Sequence, residues 1–207
     1  MKLAHLATVT CLLPTILGAQ SLDSLGQRGR TLLAFDIGLT GTHEASVDPS
    51  MITARGKGQV ASLAVTHFVH REFAIEISGA VLDENNYVTA GRAHNEQVLP
   101  LLFGVNWAPT ALAVNSELRP FVSVAAGPYF YTIDDASAVS GMQSAVAETL
   151  IGERIGVGAN WYLARHFALQ LEGDYHAVPS FASVDGIRRN VSGLALSVGF
   201  GVAWGGP

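Results

Sequence analysis

From Phe167 to His176 the sequence FALQLEGDYH changes character at every step. Phe167, Leu169, Leu171, Gly173 and Tyr175 fall on one side of an extended chain, and Ala168, Gln170, Glu172, Asp174 and His176 on the other. Period two is the side-chain repeat of a β-strand, and two chemically different faces mean that the sides meet different surroundings. Segments at roughly 31–40, 58–68, 72–82, 96–107, 119–131, 151–163 and 191–204 read the same way, so that with 167–177 eight strands are predicted. They run ten to fourteen residues, where an ordinary strand has about five or six. A strand tilted across a bilayer needs about nine to eleven, which supplies a reason for the length.

The connections alternate. Residues 41–57, 83–95, 132–150 and 178–190 are expected as long loops; 69–71 and 164–166 are tight, and 108–118 is intermediate. Long and short in turn is the signature of an up-and-down barrel with display loops on one rim and turns on the other. Within 132–150, Val139, Met142, Val146 and Leu150 stand at loose helical spacing, which leaves a short helix open there. Residues 97–116 carry no charge and are long enough for a membrane helix, but Pro100, Gly104, Asn106 and Pro109 oppose one, and Leu99, Leu101, Phe103, Val105 and Trp107 alternate as a strand does.

Alternation does not say which face is wet. In the last strand Leu194, Leu196, Val198, Phe200, Val202 and Trp204 share one side, and Val191, Gly193, Ala195, Ser197, Gly199, Gly201 and Ala203 the other, without one charge. Small residues suit the narrow interior of an eight-strand barrel, which sends the bulky side outward. Phe73, Trp107, Trp161, Phe167 and Trp204 all lie at one rim and on that outward face, as a membrane aromatic girdle would. Phe130 and Tyr175 take the opposite rim; Phe68 has the contrary parity.

Composition agrees. Only 14% of residues are charged and the mean hydropathy is +0.31, against about 25% charged in soluble domains. Lys2, an apolar stretch interrupted by Pro14, and LGAQS form a secretory signal with cleavage expected after Ala19. Residues 20–30 are then a periplasmic lead and 31–204 the barrel domain. Cys11 lies in the signal, so the mature chain has no thiol. Cleavage removes Lys2 and no acid, leaving eleven basic against seventeen acidic residues, net −6, which excludes nucleic acid as a partner.

Residues 31–204, most clearly RIGVGANWYLARHFALQLEGDYHAV and LRPFVSVAAGPYFY, resemble the eight-stranded outer-membrane β-barrel proteins of the OmpA, OmpX, OmpW and opacity-antigen type. The resemblance implies an all-β antiparallel transmembrane barrel in the bacterial outer membrane, both termini in the periplasm and four loops outside. It covers nearly the whole mature chain and is specific for fold, not for activity. Such chains usually end on an aromatic residue, whereas Trp204 is followed by GGP. No peptidoglycan-binding domain is expected after the barrel.

The inward face carries a lumen polar network: Asp36, Glu76, Arg154, Asn160, Gln170, Glu172, Asp174 and His176. Pairing the sixth and seventh predicted strands across their tight turn sets Arg154 beside Asp174 and His176. Buried charge needs a partner, so the network plugs and orders the barrel; the alternative is a charged constriction. A lipid-modifying enzyme would need a serine and a histidine together, and THEAS (His43, Glu44, Ser46) or YHAVPS (His176, Ser180) are the available sources, with no G-x-S-x-G elbow. His67 and His70 flank a turn while His94 and His166 are scattered, so no metal site is expected; GVGANW and GFGVAW lack a third glycine, so no cofactor loop is either. No catalytic residue is assigned. The expected role is non-enzymatic: structural, adhesive or surface-interacting, with minor solute passage at most. Outer-membrane lipid is the expected partner, and an extracellular ligand would reach the long loops. A lipid-modifying enzyme and a soluble ligand-binding barrel are the alternatives.

Overall fold

A computed structural model describes residues 27–42, 58–89, 92–114, 117–136, 143–182, 188–189 and 191–206. The expected signal peptide, most of the expected lead and most of the first expected loop lie outside them.

Eight long strands form the wall: β1 (Arg30–Thr42), β2 (Gly58–Phe68), β3 (Phe73–Thr89), β4 (Arg92–Trp107), β5 (Leu118–Ala136), β6 (Gln143–Ala164), β7 (Phe167–Ala177) and β10 (Gly193–Gly205). Two-residue strands β8 (Phe181–Ala182) and β9 (Arg188–Arg189) pair with each other in the connection between β7 and β10. Each long strand pairs antiparallel with its chain neighbour, and β1 closes on β10 from Arg30↔Gly205 to Thr42↔Gly193. Closure leaves no free edge, which is what hydrocarbon demands of a spanning sheet.

The faces fall as their chemistry requires. Along β7 exposed and buried residues alternate almost without a break, and β10 does the same with its bulky side out and its Gly/Ala/Ser side in. Large apolar side chains of all eight wall strands make a continuous outer belt. Water would tax such a belt heavily at about 25 cal/mol per Å² of apolar surface, whereas a bilayer matches it.

One rim carries the short connections 69–72, 108–117 and 165–166 and both described chain ends; we call it the turn rim, and the other the loop rim. Gly29, with φ of +78°, bends the chain into β1 at the turn rim, where its N–H donates to the Phe68 carbonyl. A side chain at that φ would be strained.

Two of the expected loops prove to be strand in large part. Residues 83–89 and 92–95 continue β3 and β4, and 132–136 and 143–150 continue β5 and β6. No helix occupies 143–150: Val146 pairs with Ile133 in the ladder, and Leu150 with Tyr129. In these extensions the sequence carries polar residues at both parities, as at Asp83 and Glu84 or Gln143 and Ser144, so the apolar alternation disappears while the ladder continues. The eight residues of β6 before Ile151 add about 26 Å of strand beyond the belt.

Candidate functional site: a filled lumen

The inward positions of β1, β3, β5, β6 and β7 converge on one polar cluster. Arg154 on β6 donates through its Nη2 to the Glu76 carboxylate on β3, and its Nε lies 3.6 Å from Asp174 Oδ1 on β7. Glu172 accepts from Gln170 Nε2 at 2.9 Å and from the Ser123 hydroxyl at 3.2 Å. His176 Nδ1 and the Tyr129 hydroxyl are 2.9 Å apart, with the rings edge-on. Asp36 on β1 is bonded by Ser62, its register partner on β2. Four carboxyl groups thus gather around one guanidinium, all of them buried.

Room for this cluster is made by glycine. A Cβ on Gly156 would overlap Asp174 Oδ1 and Ser123 Oγ, and one on Gly199 would overlap the Asp36 carboxylate. In a barrel of eight strands the interior holds side chains and little else. The cavity against Arg154, Asp174 and His176 is about 20 Å³, space for about one water.

Apolar stoppers lie above and below. Towards the loop rim, Phe181 of β8 folds into the mouth, fully buried, and stacks on Tyr131 at 4.6 Å. Leu82, Val98, Leu102, Val178 and Val191 pack with them. Towards the turn rim, Phe68 and Phe121 form one cluster with Ala74 and Ala108, and Leu32 and Tyr162 another with Ala168 and Ala203. The Arg30 guanidinium lies 4.5 Å from the Tyr162 ring centroid and donates to the Arg165 carbonyl, sealing that mouth.

Placement of the residues singled out from sequence is now plain. Asp36, Glu76, Arg154, Asn160, Gln170, Glu172, Asp174 and His176 all lie inside the barrel. Arg154, Glu76 and Asp174 meet directly; Gln170, Glu172 and His176 join through other contacts. Asn160 faces Gln170 in register, yet its Oδ1 has no partner. Arg154 and His176 are register partners across β6 and β7, and Asp174 stands opposite Gly156. Phe73, Trp107, Trp161, Phe167 and Trp204 all point outward at the turn rim, with Phe73 and Trp107 register partners stacked at 6.4 Å. Phe68, of contrary parity, is a stopper inside the lumen. Sequence reading missed Ser62, Ser123, Tyr129, Tyr131, Arg30, Tyr162 and Phe181. An aromatic in the polar stretch VPSFAS was the one available signal for Phe181.

Candidate catalytic pairs do not form among the described residues: His176 is engaged with Tyr129, and Ser180 is exposed. His43, Glu44 and Ser46 lie outside them. His67 Nδ1 is 2.9 Å from the Thr31 hydroxyl and His166 Nδ1 is 2.8 Å from the Ala203 carbonyl. At the turn rim Glu72 accepts from both the N–H and the hydroxyl of Thr110, at the start of a short 3-10 turn (Thr110–Leu112). These bonds hold its carboxyl below the ordinary carboxylate range, the Thr110 hydroxyl contributing most.

No protein-family model and no curated protein sequence matches the chain. Its fold does match solved structures. Ail, the attachment invasion locus protein of Yersinia pestis, aligns with a TM-score of 0.55 at 10% identity over 86% of this chain and 99% of that one. Neisserial surface protein A aligns at 0.57 and 12%, over 84% and 96%. The outer membrane protein OprG from Pseudomonas aeruginosa aligns at 0.58 and 14%, over 86% and 96%. With its closed wall, its apolar belt and its filled interior, the chain is a membrane-spanning barrel with the fold of the eight-stranded bacterial outer-membrane proteins.

Proposed function

We propose that the chain is a non-enzymatic outer-membrane barrel whose interior is a permanent plug and whose work is done by the hairpins that rise from the loop rim. The observation that carries this reading is the filling of the lumen from end to end: an apolar stopper, the Arg154 network, then a second apolar stopper. A conducting barrel needs a continuous wet path. A barrel enzyme needs a nucleophile and a base within hydrogen-bond reach, about 2.6–3.2 Å. Neither arrangement is found among the described residues.

Surface contact is the role left to a sealed barrel, and β5 and β6 are longer than crossing requires, at 19 and 22 residues. Ail is named the attachment invasion locus protein and the Neisserial structure is named a surface protein, which supports the same role here. Planar-bilayer recording of the refolded protein tests the plug. Silence is expected from the wild type and from Arg154→Ala, since two stoppers remain in the variant; steady conductance from the wild type would overturn the reading.

A further inference from the structure

The outer belt is not uniformly bulky. Register rows run Phe35–Leu63–Gly79–Leu101 across β1 to β4, and Ile37–Ala61–Val81 beside it. Gly79 and Ala61 are gaps in rows of otherwise large apolar side chains. Next to them the ladder is interrupted within the closed wall. Pairing of β3 with β4 stops at Gly79↔Leu101 and resumes at Leu82↔Val98, and pairing of β4 with β5 stops at Pro100↔Tyr129 and resumes at Phe103↔Ala126. Pro100 and Pro128 have no N–H to give, which accounts for interruptions on both sides of β4. The result is an outward groove of about 640 Å³, floored by Gly79 and Ala61 and walled by Phe35, Leu63, Leu101 and Phe130.

We infer that this groove is a docking site for one fatty-acyl chain of a membrane lipid in the leaflet nearer the loop rim. It is continuous with the lipid-facing belt, and its lining is apolar except for Ser62, so hydrocarbon is the surrounding medium. Within a membrane the driving force is packing, not exclusion of water. A concave site on a smooth wall gives a flexible chain more contacts than a flat one does. A second copy of the protein fits poorly: a two-fold interface sets the same patch against itself, and groove against groove leaves a void. Gly79 lies six residues along β3 from Phe73 of the girdle, about 15 Å up a belt about 25 Å tall when strands tilt by about 40°. That height sets the leaflet.

Gly79 also provides the control. A Cβ there would meet only the Pro100 carbonyl oxygen, at 3.8 Å, so a leucine can fill the groove without moving the wall. The experiment is photolabelling of the refolded barrel in phospholipid vesicles that contain a trace of phospholipid with a mid-chain diazirine, followed by peptide mapping. Adducts several-fold denser on Phe35, Leu63 and Phe130 than on Val157 and Leu171, which are more exposed on the far wall, are expected. The excess should vanish in Gly79→Leu, with the folded state checked by its heat-modifiable gel mobility. Labelling spread evenly around the belt would overturn the inference. So would an excess that survives Gly79→Leu, or a groove shielded from label in a chemically cross-linked dimer, which would give the site to a second copy.

Discussion

Arg154 and Glu76 meet across the lumen from strands that are not neighbours in the wall, 78 positions apart in the chain. Their contact ties the β6 side of the barrel to the β3 side, and Asp174 extends it to β7. Removing the guanidinium leaves buried carboxylates unpaired, which costs about 3–5 kcal/mol where a buried pair is broken. Arg154→Ala should therefore lower the free energy of unfolding by about that much in urea titrations in lipid vesicles. Glu76→Gln, which keeps an acceptor for Arg154, should lose less.

Gly156 should tolerate no side chain. Gly156→Val would drive its Cβ into Asp174 and Ser123; overpacking costs about 1–3 kcal/mol in ordinary cores, and displacing hydrogen-bonded charge adds to it. Gly173→Val, on the outward face of β7 with no atom nearer than 4.0 Å to its Cβ, is the matched control and should fold normally. Refolding yield by gel mobility separates the two.

The turn between β4 and β5 should be acid-sensitive. Glu72 accepts two hydrogen bonds from Thr110 more strongly as a carboxylate than as a neutral acid, and its folded pKa lies below the ordinary one. A carboxyl group of this kind contributes stability that is present above its unfolded pKa and is lost as pH falls through the lower, folded value. The Thr110 amide resonance should hold its position from neutral pH through the ordinary carboxylate range and shift only below it. Thr110→Ala should move the Glu72 titration upward.

How much of this was legible in the chain follows from where water is. In β7 and β10 each side chain meets either lipid or lumen, so the alternation of Leu171 with Glu172, or Leu196 with Ser197, records the fold directly. In 83–89, 92–95, 132–136 and 143–150 polar residues occupy both parities of the sequence, and the pattern goes silent although the ladder continues. The inward residues of the network could be assigned by parity. Their partners could not: Arg154 finds Glu76 only once the barrel closes, and Phe181 reaches Tyr131 only because β8 sits in the mouth. Phe68 has the contrary parity to the girdle, and as a stopper inside the lumen that parity is right.

Everything rests on which face of the wall touches lipid, and wild-type protein can report it. Leu171 is 54% exposed and Leu82 is 2% exposed, on opposite faces of the wall. With methyl-labelled protein in otherwise deuterated lipid carrying protonated acyl chains, cross-relaxation from lipid methylenes should reach the methyls of Leu171, Val157 and Leu196. Those of Leu32, Leu82 and Leu102 should stay dark. Transfer to the second set with none to the first would contradict the account.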